Sequence, residues 1–290
     1  MSRLGRPAGP GQPGQGGADL PAPGTPAVRI GVRSAAVLVL VSVVGLMMLA
    51  WPFLLDVPDG ARVDPPFLFL ALLPLLLVMV LAEMTEGGMD ARVLAVLGLL
   101  AAINGVIRGL GAGVAGLELV FFLLILAGRV FGPAFGFILG ATSLFVSALF
   151  TAGVGPWLPF QMLVSGWVGM GAGLLPRRVT GRAEIVMLAV YGILAAYLFG
   201  AAMNMWGWPF LLGVAVPGYE ATDLSFVAGA PVLENLQRFG LYTLVTSTGG
   251  WDTGRALTNA LAIALLGPSV LATLRRVARR AVVVRVSAPA

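Results

Sequence analysis

The chain contains no cysteine and no histidine, and because all 18 of its basic residues are arginine it contains no lysine either. Without cysteine there are no disulfides and no thiolate metal sites. Without histidine there is no imidazole ligand and no Ser-His-Asp relay. Without lysine there is no phosphate-binding loop of the Walker type, so any energy drawn from ATP has to come from another polypeptide. Charge is also scarce: 11% of the residues are charged, against about 25% in an ordinary soluble domain. Catalysis would rest on 13 carboxylates, several of them placed like loop charges. No catalytic residue, no metal site and no cofactor is expected.

What is present is apolar: 58% of the 290 residues are hydrophobic. Apolar runs recur at 34–55, 67–82, 91–107, 119–127, 134–150, 158–175, 185–205 and 257–274. A bilayer core takes roughly 20 apolar residues per helix, with a range of about 17 to 25. The pattern predicts an all-α, polytopic transmembrane bundle of about eight hydrophobic helices in the cell membrane. The pI of 10.6 does not make it a nucleic-acid binder, because its arginines lie between or beyond apolar runs rather than on one soluble basic face.

Residues 1–27 hold seven glycines and six prolines and too little apolar surface to offset ordering. A disordered cytoplasmic tail is expected over 1–33. A cleaved signal peptide would need a shorter basic region and a shorter apolar core, so the first run reads as a retained helix. Arginine in short loops stays on the cytoplasmic side. Counting arginines places 14 of the 18 inside, leaving Arg62, Arg108, Arg238 and Arg255 outside, and puts both termini in the cytoplasm.

Two segments sit awkwardly in that count. The run 119–127 lies between Glu118 and Arg129 and covers only about 18 Å as a helix, so it needs snorkelling ends or shelter from its neighbours. The segment 232–247 opens with Glu234, Asn235, Gln237 and Arg238 and reads as an external helix lying over the bundle. Small residues at four-residue spacing, Gly132/Gly136/Gly140, Ser165/Gly169/Gly173 and Gly105/Gly109/Gly113, predict close helix packing, with a subunit-docking surface as the alternative.

The unusual side chains gather in three connections on one side of the bundle: 108–118, 151–161 and 204–252. Arg108, Glu118, Trp157, Gln161, Asn204, Trp206, Trp208, Tyr219 and Trp251 are the candidate ligand-binding residues. Interfacial anchoring competes as the explanation of the aromatics, and a local Arg108–Glu118 pair competes as the explanation of Glu118. A buried ionisable or amide group in a membrane otherwise marks a wet cavity or a function. Two alternatives to ligand capture are an integral-membrane enzyme using Glu83, Glu86 and Asp90, and a structural subunit with no cavity.

The stretch AGRVFGPAFGFILGATSLFVSALF at 127–150, followed by GVGPWLPFQMLVSGWVGMGAGLLP at 153–176, resembles the substrate-binding S component of energy-coupling factor (ECF) vitamin transporters. The cobalamin-type branch is the nearest. The resemblance implies a six-helix core over 91–276 that captures a vitamin-like small molecule from outside. It also implies that the core hands the molecule to a transmembrane T component coupled to two ABC ATPases. Residues 34–90 would then be two additional N-terminal helices, and 277–290 a basic cytoplasmic tail. The family's Ala-x-x-x-Ala docking motif corresponds to Ala91 and Ala95. The ligand would meet Trp157, Trp206, Trp208 and Gln161, and no histidine is available to coordinate the cobalt of a cobalamin. Beyond these, the lipid bilayer is the expected partner, and no nucleic acid.

Overall fold

The computed structural model describes residues 32–54, 75, 91–111, 116–151, 153–210 and 224–283. Every regular element among them is helical. The segment 67–82 apart from Leu75, the carboxylates Glu83, Glu86 and Asp90, and Tyr219 lie outside the described residues.

Eight helices follow in order: α1 (Val32–Leu49), α2 (Ala91–Gly111), α3 (Val120–Phe131), α4 (Pro133–Phe150), α5 (Leu158–Leu174), α6 (Gly181–Gly207), α7 (Val232–Thr243) and α8 (Thr253–Val283). A π-helical stretch, Leu244–Asp252, joins α7 to α8 without a break. Four stretches among the described residues are long and apolar enough to cross a membrane: Ala91–Gly109, Pro133–Phe150, Gly181–Phe210 and Val232–Arg280.

The short apolar run has become the hub. All twelve residues of α3 are buried, and α2, α4, α5, α6 and α8 surround it. A helix of about 18 Å survives in this position because its charged neighbours at both ends are paired with other helices. Sharp reversal into α4 depends on Gly132, whose φ of 106° only glycine adopts freely, and on Pro133 at the first helical position, where the missing N–H costs nothing.

Glycine then sets how closely the central helices approach. Gly128 of α3, Gly136 of α4 and Gly169 of α5 meet backbone to backbone: a Cβ on Gly136 would lie 3.1 Å from the Gly128 Cα and would also strike the Gly169 carbonyl. A Cβ on Gly140 would sit 2.6 Å from the Gly166 nitrogen. The predicted small-residue faces are therefore the α4–α5 seam inside the bundle. Gly105 and Gly109 of α2 face α4 more loosely, at 3.3 Å or more.

The ends of the bundle differ. At one end, Arg129 donates to Glu184 at 2.7 Å and to the Leu175 and Val179 carbonyls at 2.9 Å each. Arg275 of α8 reaches the same carboxylate at 2.7 Å. The other end carries Arg108 and the tryptophans Trp51, Trp157, Trp206 and Trp208.

The segment 232–247 is helical, as expected, and runs through α7 and the π-helical stretch directly into α8. Asn235 is not an exposed loop residue: it is buried and clamps the Val227 backbone, accepting from its N–H at 3.0 Å and donating to its carbonyl at 2.8 Å. The last helix, α8, runs to Val283.

The first helix belongs to the bundle. Trp167 of α5 donates to Ser42 at 2.8 Å, Gly45 receives the Leu163 side chain, and Trp51, just beyond α1, stacks on Phe210.

Candidate functional site

At the Arg108 end the three predicted connections meet pairwise. The first touches the second where Arg108 Nη2 donates to Gln161 Oε1 at 3.3 Å. The second touches the third where Trp157 meets Trp206 edge to face, 6.3 Å between ring centres. The first touches the third where Gly116, with φ of 78°, lies against the Trp251 carbonyl so closely that no side chain would fit.

Arg108 is the hub of the first contact. Besides Gln161 it donates from Nη1 to Ser147 Oγ at 3.0 Å, and its Nε lies 3.3 Å from Glu118 Oε1. That last pair is electrostatic, since the Nε proton is not aligned for a hydrogen bond. One turn earlier on α2, Asn104 donates to Ser143 at 3.2 Å. The i, i+4 spacing of 104/108 and 143/147 thus builds a polar ladder between α2 and α4.

Glu118 is shared. Its other oxygen accepts from Arg255 Nε at 2.9 Å, and Arg255 Nη1 donates to Asp252 at 3.1 Å. Asp252, 1% exposed, also accepts from Ser247 at 2.6 Å. Its carboxylate packs against Gly200 of α6, where a Cβ would have no room. Asn259 donates to the Glu118 backbone carbonyl at 2.7 Å, and the Arg255 guanidinium lies 5.0 Å from the centre of the Phe199 ring. Two arginines and two carboxylates therefore close a charge-neutral network across α2, the loop before α3, the π-helical stretch and α8. Such groups are costly in a membrane unless paired in this way.

The aromatic residues continue from Trp157 as a chain of rings. Trp206 meets Phe160 at 6.1 Å and Phe210 at 6.0 Å, Phe210 stacks on Trp51 at 6.0 Å, and Trp51 reaches Phe226 at 6.5 Å. The indole N–H groups of Trp206 and Trp51 are buried without a hydrogen-bond partner among the described residues. Gln161, held by its oxygen, keeps its amide N–H groups free of protein partners there.

Other candidates take different places. Trp208 is wholly buried and donates its N–H to the Leu224 carbonyl at 2.6 Å. With Phe226, Phe239 and Phe53 around it, it is the core of a small aromatic plug. Asn204 lies one turn beyond Gly200, on the α6 face that meets the π-helical stretch, and its side-chain N–H group has no partner among the described residues. Trp251, expected in a loop, is in the π-helical stretch and half exposed. Ala91 and Ala95 are both exposed on α2 at the opposite end of the bundle.

Sequence reasoning missed Arg255, Asp252 and Ser247 as members of the network. The signal was available: an Asp and an Arg three apart at the mouth of an apolar run share a helix face. Trp51 and Phe160 were also missed. Both are hydrophobic residues at helix ends, where anchoring is the default reading.

No curated protein and no solved structure matches the chain. Residues 92–286, more than half of it, match the family model described as ECF transporter, substrate-specific component. Members of that family are membrane transporter subunits rather than enzymes, and they work with a T component and ATPases. The matched region takes in α2 to α8 together with both charge networks, and the chain belongs to the ECF transporter substrate-specific component family.

Proposed function

We propose that the chain captures a vitamin-like small molecule at the Arg108 end of the bundle and passes it to its T component and two ABC ATPases. The observation that carries this reading is the pairwise meeting of three separate connections at Arg108–Gln161, Trp157–Trp206 and Gly116–Trp251.

In this reading the network and the rings divide the work. Glu118, Arg255 and Asp252 neutralise one another and fix Arg108, which in turn holds Gln161 by its oxygen. The contacts offered to a ligand are the amide N–H groups of Gln161 and the faces of Trp157 and Trp206, with unpaired indole N–H donors at Trp206 and Trp51. Stacking with few donors suits a flat or amphipathic molecule. Trp208 is the core of the neighbouring aromatic plug, while Asn204 lies on the α6 face and Trp251 in the π-helical stretch.

Arginine placement supports an outward-facing Arg108 end. Arg178, Arg182, Arg276, Arg279 and Arg280 are exposed at the Arg129 end, and arginine accumulates on the cytoplasmic side. Both termini are then cytoplasmic. Ala91 and Ala95 fall on the same side, on a helix only a third buried, which suits docking of the T component by close approach of small residues. Ala95→Trp should abolish co-purification with the T component while leaving ligand binding intact. Loss of neither would remove this docking face.

Cobalamin is the first ligand to test, followed by a panel of other vitamins, by calorimetry on the purified chain. A saturable heat with one of them and its uptake by cells carrying the full transporter are the expected results. No heat with any of them, together with unchanged uptake, would overturn the reading.

A further inference from the structure

We infer that the Arg129 end carries a binding site for the phosphate headgroups of anionic lipids, built where the start of α6 meets the end of α8.

The two helices are joined there by Glu184 and Arg275. Glu184 is 2% exposed, and Arg129 occupies it from the inner side with all three of its nitrogens engaged. Arg275 approaches from the outer side and spends a single nitrogen, Nη2, on both carboxylate oxygens. Its side chain is 43% exposed, and its Nε and Nη1 have no partner among the described residues. This guanidinium is fixed in place yet still has donors to give.

Among the described residues the surface around it is of one sign. Arg178, Arg182, Arg276, Arg279 and Arg280 are exposed. Of the four carboxylates among the described residues, Glu184 is the one at this end, and it is buried and neutralised. Arg275 with Arg279, and Arg276 with Arg280, repeat at four-residue spacing on α8.

The depth of the patch identifies its partner. On α6 the exposed apolar residues Val186, Val190, Leu194 and Leu198 form a stripe that stops one turn short of Arg182. On α8 the exposed stripe Leu257, Leu261 and Leu265 gives way to Ser269 and Thr273, then to the arginines. Both helices change from lipid-facing apolar to basic at the same end, so the guanidinium groups stand at headgroup level. A planar guanidinium binds phosphate through two parallel hydrogen bonds, and each arginine near an anionic surface is worth about a fivefold gain in binding.

The test uses the full chain in detergent, titrated with phosphatidylglycerol or with phosphatidylcholine and examined by native mass spectrometry and thermal unfolding. Phosphatidylglycerol should stay bound and raise the unfolding midpoint, and added salt should remove the effect; phosphatidylcholine should do neither. Arg279→Gln with Arg280→Gln, near the end of α8 and outside the Glu184 contacts, should weaken phosphatidylglycerol retention by at least about tenfold. Equal retention of the two lipids, or unchanged retention by the double variant, would overturn the assignment. So would a double variant that keeps its phosphatidylglycerol but loses the T component, which would make the patch a protein interface.

Discussion

Replacing Glu184 with glutamine preserves the shape of the Arg129 end but leaves a buried cation without its anion. Arg129 is 6% exposed, and a guanidinium cannot shed its proton to escape. Its two bonds to the Leu175 and Val179 carbonyls would remain, but these are dipoles rather than a counter-charge. Removing one partner of a buried pair costs about 3–5 kcal/mol. The natural control is Arg275→Gln, which removes the outer arginine instead. Arg275 is 43% exposed and Glu184 keeps Arg129 at 2.7 Å, so solvent screening holds that cost to about 1 kcal/mol or less. A chain of this size loses roughly 2–4 °C of midpoint per kcal/mol. Thermal unfolding in detergent, followed by tryptophan fluorescence, should therefore fall on the order of 10 °C for Glu184→Gln and a few degrees at most for Arg275→Gln. An Arg275 variant as damaging as the Glu184 variant would refute the reasoning, as would a Glu184 variant within a couple of degrees of wild type.

The network at the other end predicts an order. Arg255→Met should cost about 3–5 kcal/mol, because Asp252 would keep only the Ser247 hydroxyl. Arg108→Met should cost about 1.5–3 kcal/mol, since Glu118 keeps Arg255; equal losses in denaturation would contradict the shared-carboxylate geometry. Among the glycines, Gly140→Ala should destabilise by at least about 1–3 kcal/mol, because its Cβ meets backbone that cannot turn aside. Gly98→Ala should be neutral or stabilising by up to about 1 kcal/mol, since nothing lies within 4 Å of the new carbon. The same unfolding assay separates the two.

The features legible in the sequence were those that a helix period encodes directly. Gly136, Gly140, Ser165, Gly169 and Gly173 lie on interhelical faces because a spacing of four keeps residues on one side, and small residues let backbones approach. Gly173, for instance, comes so near that its Cβ would stand 2.5 Å from the Pro133 nitrogen. The shelter needed by the short 119–127 run and the Arg108–Glu118 pair were also readable, because a charge beside an apolar run needs a partner. Less readable was anything that depends on partners distant in sequence. Glu234, Asn235, Gln237 and Arg238 look like a solvated helix, and nothing local says that Asn235 holds Val227 or that a π-helical stretch carries the chain on into α8. Trp208 shows the same limit: composition gives a tryptophan near an interface, whereas its burial is set by Phe53, Phe226 and Phe239. Arg255 was read only as one of four arginines left outside the cytoplasmic count, because Glu118, its partner, lies 137 residues away.

The central claim, that a small molecule is held by Gln161 and the Trp157–Trp206 pair, is tested most directly by titrating one ligand against wild type and three variants. Gln161→Leu, Trp157→Leu and Trp206→Leu should each weaken binding at equilibrium by about tenfold or more, as expected for losing a stacking face or a hydrogen-bond donor. Thr273→Ala, at the opposite end, should leave it unchanged. A ligand that binds wild type and all three variants with the same affinity would contradict the account.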